Sequence, residues 1–254
     1  MEIELDTNKS AAKNASELFD KSKKLLQKVE KAREVLTELE KKKSKIKEVK
    51  LKEDDVLKVK KEREWYEKFR WFYSSTGKLI LGGRDATSNE VLLKKHTEKD
   101  ELCFHADIVG APFFVIKGKF DEESIKEAAQ AAGIFSKAWS QGLGTISVYY
   151  APRTQFTKQA PSGEYVKKGG FMVYGKKEWE KVELKAAIGI KENQVTSGPP
   201  SAIINWAEKS LLIEPGDKKP GEIVKRGSKI LGTIPNEVQR AIPAGRSKFI
   251  GKIN

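Results

Sequence analysis

Up to residue 60 the chain contains neither glycine nor proline. Within that span Ala15, Leu18, Ser22, Leu25, Val29, Ala32, Leu36, Leu39, Lys43 and Ile46 fall at alternating spacings of three and four. That is the a/d seam of a heptad, with Lys, Glu and Arg on the outer faces. The pattern predicts one helix from Asp6-Thr7-Asn8, which offer N-cap side chains, to about residue 48, roughly 60 Å long at 1.5 Å per residue. Met1 to Leu5 alternate as a short extended lead-in. Glu53-Asp54-Asp55 marks a break and restart. A return helix over 54–70 follows, with Trp65, Phe69 and Phe72 on one stripe, but it spans only about 25 Å. About half of the first seam therefore has no partner in this chain, and a lone helix of that kind is poorly stabilised in water. The expectation is a coiled-coil partner in trans, a homodimer, or a preceding coil segment lying outside this sequence.

The period changes at Trp71. The run Trp71-Phe72-Tyr73, the turn Ser74-Ser75-Thr76-Gly77 and the run Leu79-Ile80-Leu81 predict a hairpin around Gly77. Gly82-Gly83-Arg84 leads into a helix starting at Asp85 or Thr87. Strands are expected at 102–105, 113–116, 145–150, 171–174, 184–190, 195–197 and 211–213. Helices are expected at 122–139, 201–208, 220–231 and 236–241. The helix at 220–231 has proline in its first turn. The whole reads as an α+β protein: a mostly antiparallel sheet with packed helices over 71–254, preceded by a long coiled-coil helix within a 1–70 limb. No internal repeat is visible.

Charge narrows the functions open to this fold. The 254 residues carry a formal net charge of +13, which favours polyanion partners such as RNA, DNA or an acidic membrane face over a merely soluble surface. The single cysteine, Cys103, excludes an internal disulfide framework and a cysteine zinc cluster. No secretory leader and no 18-residue apolar run is present, so the expected location is the cytoplasm, with no membrane partner.

Three stretches carry candidate chemistry. In 82–90 (GGRDATSNE) glycines precede a helix N-terminus beside Arg84, which suits a phosphate. The spacing matches neither a Walker loop nor a dinucleotide fingerprint. The favoured reading there is a strand-to-helix turn with an Asp85 cap and Arg84 paired to a buried acid. In 103–112 (CFHADIVGAP) His105 and Asp107 lie two apart on one strand face. His96 supplies no usable metal spacing with them and no nucleophile is placed for them, so a hydrogen-bonded structural or RNA-facing histidine is favoured over a metal or general-base role. In 153–179, lysines 158, 167, 168, 176 and 177 interleave with Phe156, Tyr165, Phe171, Tyr174 and Trp179. Cations for phosphates and aromatic faces for bases are what irregular RNA requires, though a hairpin with core aromatics and solvated lysines fits the pattern equally. Serines 162, 201 and 247 have no triad around them, so no hydrolase chemistry and no cofactor is expected.

The stretches EWYEKFRWFYSSTGKLILGGRDATSNE, FHADIVGA and KQAPSGEYVKKGGFMVYGKKEW, in this order, resemble the C-terminal half of the NFACT family of ribosome quality control factors. The lead-in IELDTNKSAAKNASELFDKSKKLLQKVEKA is similar to the family's second coiled-coil limb, and SGPPSAI, IEPGD and QRAIPAGRSK look like the archaeal form of the domain's end. The resemblance implies an RNA-binding domain from about Trp71 onward. It also implies partners in the large ribosomal subunit, rRNA and tRNA, and no catalysis by this part alone, since the family's N-terminal tRNA-handling module has no counterpart here. Carried over by motif, the implied RNA contacts are Arg84, Asp85, Asn89, His105, Asp107, Lys158, the loop residues Ser162, Gly163, Glu164 and Tyr165, and Lys176 and Lys177. A protein–protein adaptor that docks through the coil is the alternative, and a hydrolase or metalloenzyme using His105 and Asp107 ranks last.

Overall fold

The computed structural model describes residues 5–54, 64–160 and 165–253, with backbone alone for 41–54 and 252–253. The chain divides into two compact units, Met1–Glu62 and Arg63–Asn254.

Among its described residues the first unit holds one helix, α1 (Ala11–Asp54). It starts a few residues later than the caps proposed from sequence, because Asn14 folds the lead-in back on itself. The Asn14 amide donates to the Asp6, Lys9 and Ser10 carbonyls and accepts from Asp6 N–H. Ser10 Oγ then accepts from Lys13 N–H and serves the helix start. Leu25, Val29, Leu36 and Leu39 of the seam are exposed. The break expected at 53–55 does not interrupt α1 at Glu53 or Asp54, and Asp55 with residues 56–63 of the expected return helix falls outside the described residues.

The second unit contains β1 (Arg70–Tyr73), β2 (Leu79–Gly82), α2 (Ala86–Lys95), β3 (Leu102–Ala106), β4 (Phe113–Ile116), α3 (Glu122–Ile134), α4 (Lys137–Ser140), β5 (Thr145–Pro152), β6 (Phe156–Thr157), β7 (Met172–Val173), β8 (Glu178–Glu183), β9 (Ala186–Lys191), β10 (Gln194–Gly198), α5 (Pro200–Trp206), β11 (Lys209–Lys218), α6 (Pro220–Leu231), α7 (Pro235–Ala241) and β12 (Ser247–Ile253). One sheet has six strands in the order β1-β2-β4-β3-β5-β8, a second has four in the order β10-β9-β11-β12, and β6 and β7 form a small ribbon. Each of these strand pairs is antiparallel. The α+β class with a long preceding helix is thus the observed one.

Alternation along the six-stranded sheet sorts its side chains to two faces. Phe72, Ile80, Phe104, Phe114, Val148 and Val182 form one core with α3. Trp71, Leu81, Cys103, Phe113, Val115 and Ala151 form another beneath α2, the 3-10 turn Trp65–Lys68 and the β6–β7 ribbon. A third core lies between the four-stranded sheet, α6, α7 and Trp139. Trp65 and Phe69 do not continue a helical stripe into Phe72. The chain turns at Phe69, which is buried against α2, and enters β1 at Arg70. Pairing of 70–73 with β2 outweighs the helical period there. The helix read over 122–139 stops at Ile134 instead, and Ser136 caps the separate α4 through Ala138 N–H.

Candidate nucleic-acid interface

α2, the 3-10 turn and the ribbon cover the outer face of the six-stranded sheet from β1 as far as Ala151 on β5, and leave its β8 end open. Beyond them a cross-strand row lies along one register: Phe113 on β4 opposite His105 on β3, His105 opposite Tyr149 on β5, and Tyr149 opposite Trp179 on β8. Such opposed side chains are each other's nearest neighbours on the face. Ring centroids step along the row at 4.5, 5.6 and 5.5 Å. Burial decreases along the row, from buried Phe113 through half-buried His105 and Tyr149 to Trp179, which is 50 % exposed. Lys177 holds its Nζ 4.8 Å above the Tyr149 ring. Thr145, Ser147, Lys181 and Asp107 are the exposed neighbours on this side. At the other end Phe171 meets Phe113 edge to face at 5.6 Å, and Lys158 Nζ sits 4.6 Å over Phe171. Five rings therefore form one run, with Lys158 over the first and Lys177 over the fourth.

His105 lies between Phe113 and Tyr149, and its Nδ1 is buried with no hydrogen-bond partner. Burial pulls its pKa below the ordinary histidine value, against the Ala106 and Ala111 backbone and the Asp107 charge, which favour the charged ring, so the neutral form prevails near pH 7. Burial also pushes the Tyr149 hydroxyl up to about 12. Neutral rings and an uncharged phenol favour stacking over acid–base chemistry. Among the described residues, no group of three or more His, Cys, Asp or Glu is placed to hold a metal ion.

Lys158 is a committed cation. Its Nζ lies 2.5 Å from Glu90 Oε1, which also accepts from Gly169 N–H at 3.2 Å. The two residues line a cavity of about 470 Å³ with Lys94, Lys168 and Tyr165, the last 82 % exposed. The Lys158 hydrogen bond, followed by Gly169 N–H, holds the Glu90 carboxyl at about 2 instead of the ordinary 4.5. The folded-state pKa is the lower one, so the pair's contribution is complete above about pH 4.5 and lost as pH falls towards 2. Glu90→Gln is therefore expected to flatten the acid limb of the stability curve between about pH 4.5 and about pH 2. Thermal unfolding at fixed ionic strength reads this, and a variant as acid-sensitive as the parent would show that solvent screens the pair.

The remaining sequence candidates do not gather on this face. Arg84 Nη1 donates to the Arg240 carbonyl at 2.8 Å, at the C-terminal end of α7, where a cation is favourable. Among the acids, Glu237 favours the charged Arg84 guanidinium against burial and Arg240. Asp85 caps α2 by accepting Ser88 N–H at 2.7 Å, which fills the helix N-terminus that a phosphate would need. Asn89 is buried, with Oδ1 accepting Phe113 N–H at 3.1 Å. Lys176 is exposed and paired with Glu178 at 2.7 Å. Ser162, Gly163 and Glu164 lie outside the described residues. Sequence reasoning did not single out Tyr149, Phe113 or Lys181 for the site. The available signal was the alternation Lys177-x-Trp179-x-Lys181, which puts all three side chains on one strand face.

Residues 68–175 match the family described as NFACT protein RNA binding domain, the family that the sequence resemblance implied. The archaeal Rqc2 homolog aRqcH of Methanocaldococcus jannaschii is 38% identical over 204 residues, covering 76% of this chain and 30% of that protein. The human ribosome quality control complex subunit NEMF is 40% identical over 119 residues, 45% of this chain and 11% of that protein. The chain thus spans about a third or less of the length of these relatives. A solved structure, the C-terminal of the fibronectin/fibrinogen-binding protein from Streptococcus suis, aligns over 52% of each chain at 26% identity with a TM-score of 0.40. No helix among the described residues is long and apolar enough to cross a membrane.

Proposed function

We propose that this chain is the RNA-binding part of a ribosome quality control factor, gripping rRNA or tRNA on stalled large ribosomal subunits in the cytoplasm, without chemistry of its own. The supporting observation is a run of five rings that opens to solvent at Trp179, with Lys158 over its first ring and Lys177 over its fourth, on a chain of net charge +13. Rings accept bases, lysines accept phosphates, and neither needs a reactive group. The ribosome quality control role of the relatives' names fits the same reading. Binding of the full chain to purified large subunits and to tRNA tests it. With about five phosphates neutralised, log K falls against log salt with a slope of about −3 to −5. A flat response would remove the electrostatic account.

The exposed seam of α1 supports a second reading, in which the chain docks to a protein helix in trans or to a second copy and touches RNA incidentally. In that case Lys176→Glu with Lys177→Glu leaves subunit binding nearly intact, whereas Leu25→Asp with Leu36→Asp abolishes it.

A further inference from the structure

We infer that Trp179 is the stacking platform for an unpaired RNA base, with Lys177 and Lys181 receiving the phosphates on either side of it. The proposal rests on the RNA reading above and gives it a substrate class, single-stranded rather than duplex RNA. Trp179 lies beyond residues 68–175, the part matched to the RNA-binding family.

The geometry begins with β8, the last strand of its sheet, paired to β5 alone. Val182 is buried in the core with α3, which fixes the opposite face of β8 as the outer one. Lys177, Trp179, Lys181 and Glu183 alternate onto that outer face. Alternate residues on a strand are about 6.6 Å apart, so a lysine stands one such step from the indole on each side. Lys177 and Lys181 make no ion pair among the described residues, unlike Lys176 with Glu178 and Lys185 with Glu183. Both therefore remain available to an anion, and Lys185 offsets the acid at the far end of the strand.

The indole itself is unusual among the tryptophans. Trp71 and Trp139 are buried, and the partly buried Trp206 packs edge to face against Trp71. Trp65 is also about half exposed, but it stacks flat on His96 at 5.0 Å and 19°. Trp179 meets Tyr149 at 62°, edge to face, and has no parallel ring partner among the described residues. An open indole face costs stability in water and gains it when a flat partner covers it. In a duplex each base is already stacked on both sides, so only an unpaired base can take the position. Asp107 is the nearby acid on this side: its field is felt by both His105 and Tyr149. It tempers the local positive charge and offers an acceptor to an exocyclic amino group.

The test compares the full chain with Trp179→Ala and Trp179→Phe, using a short oligoadenylate and an RNA duplex of equal length. Trp179→Ala is expected to weaken oligoadenylate binding about tenfold, within the range for loss of one base–aromatic stack, and to change duplex binding less than twofold. Trp179→Phe retains most of the affinity. Oligoadenylate quenches tryptophan fluorescence in the parent, and that quenching largely disappears in Trp179→Phe, which guards against loss of fold in the alanine variant. If the parent binds RNA with a steep salt dependence but Trp179→Ala binds oligoadenylate equally well, the stacking proposal is overturned and the RNA reading stands. If the parent binds neither RNA, both fall. If Trp179→Ala loses a ribosomal protein but no RNA, the indole is a protein anchor and the proposal is wrong.

Discussion

Glu101→Ala is expected to lower the unfolding free energy of the second unit by about 3–5 kcal/mol, the cost of breaking a buried ion pair by removing one partner. Glu101 is 3% exposed. Its Oε2 accepts Lys117 Nζ at 2.6 Å and Glu98 N–H at 2.8 Å, while Oε1 accepts Gly118 N–H at 2.8 Å. One carboxylate thus ties the loop before β3 to the exit of β4, next to the strand that carries His105. Alanine leaves a mostly buried ammonium holding only the His96 carbonyl, and two backbone N–H groups without their acceptor. Each of those losses carries its own desolvation penalty. Removing the partner charge as well should recover part of the loss, so Glu101→Ala with Lys117→Met is expected to be more stable than Glu101→Ala alone. Chemical denaturation of the three variants measures this. If the double variant is no better than the single one, the cost lies in the backbone N–H groups and not in the stranded lysine.

The β1–β2 hairpin, β3, β4, α6 and α7 were all legible because each shows its own period and its own turn or cap residues. β8 was not read as a strand, since its sequence EWEKVE puts charges on both faces and hides the single buried Val182. It becomes a strand by pairing with β5, and the charges suit an edge that must not pair further. β12 was not among the expected strands. Its pairing with β11 joins residues as far apart as Ser210 and Ile253, and no local signal reports that. Of the site, the mix of cations and rings was visible, but not which rings share a face. Register brings His105, Tyr149 and Trp179 into one row from three separate strands. Arg84 is the reverse case: its motif suggested a ligand, whereas its guanidinium meets a carbonyl 156 positions away.

Gly83→Ala separates fold from recognition at the motif that first suggested phosphate binding. A methyl group at Gly83 would stand 1.8 Å from Asn89 Oδ1, 2.8 Å from its Cγ and 3.1 Å from its Cα. The amide cannot simply swing aside, because it is buried and holds Phe113 N–H. The expected loss is about 2–4 kcal/mol, combining overpacking with one buried amide left without its acceptor. Asn89→Ala alone loses about 1–3 kcal/mol through the same hydrogen bond. The double variant should cost clearly less than the sum, since with Asn89 shortened to alanine the carboxamide that met the new methyl is gone. Phe113 is the inner end of the ring row, so some loosening of the His105 ring should accompany the loss, visible by NMR as faster exchange. RNA affinity per folded molecule, measured well below the melting temperature, is expected to stay within about threefold. An Asn89→Ala variant of parental stability that fails to bind RNA would instead make the carboxamide a nucleotide contact, and would require the loop from Gly83 to open in the complex, because in the structure Gly83 and Phe113 enclose it.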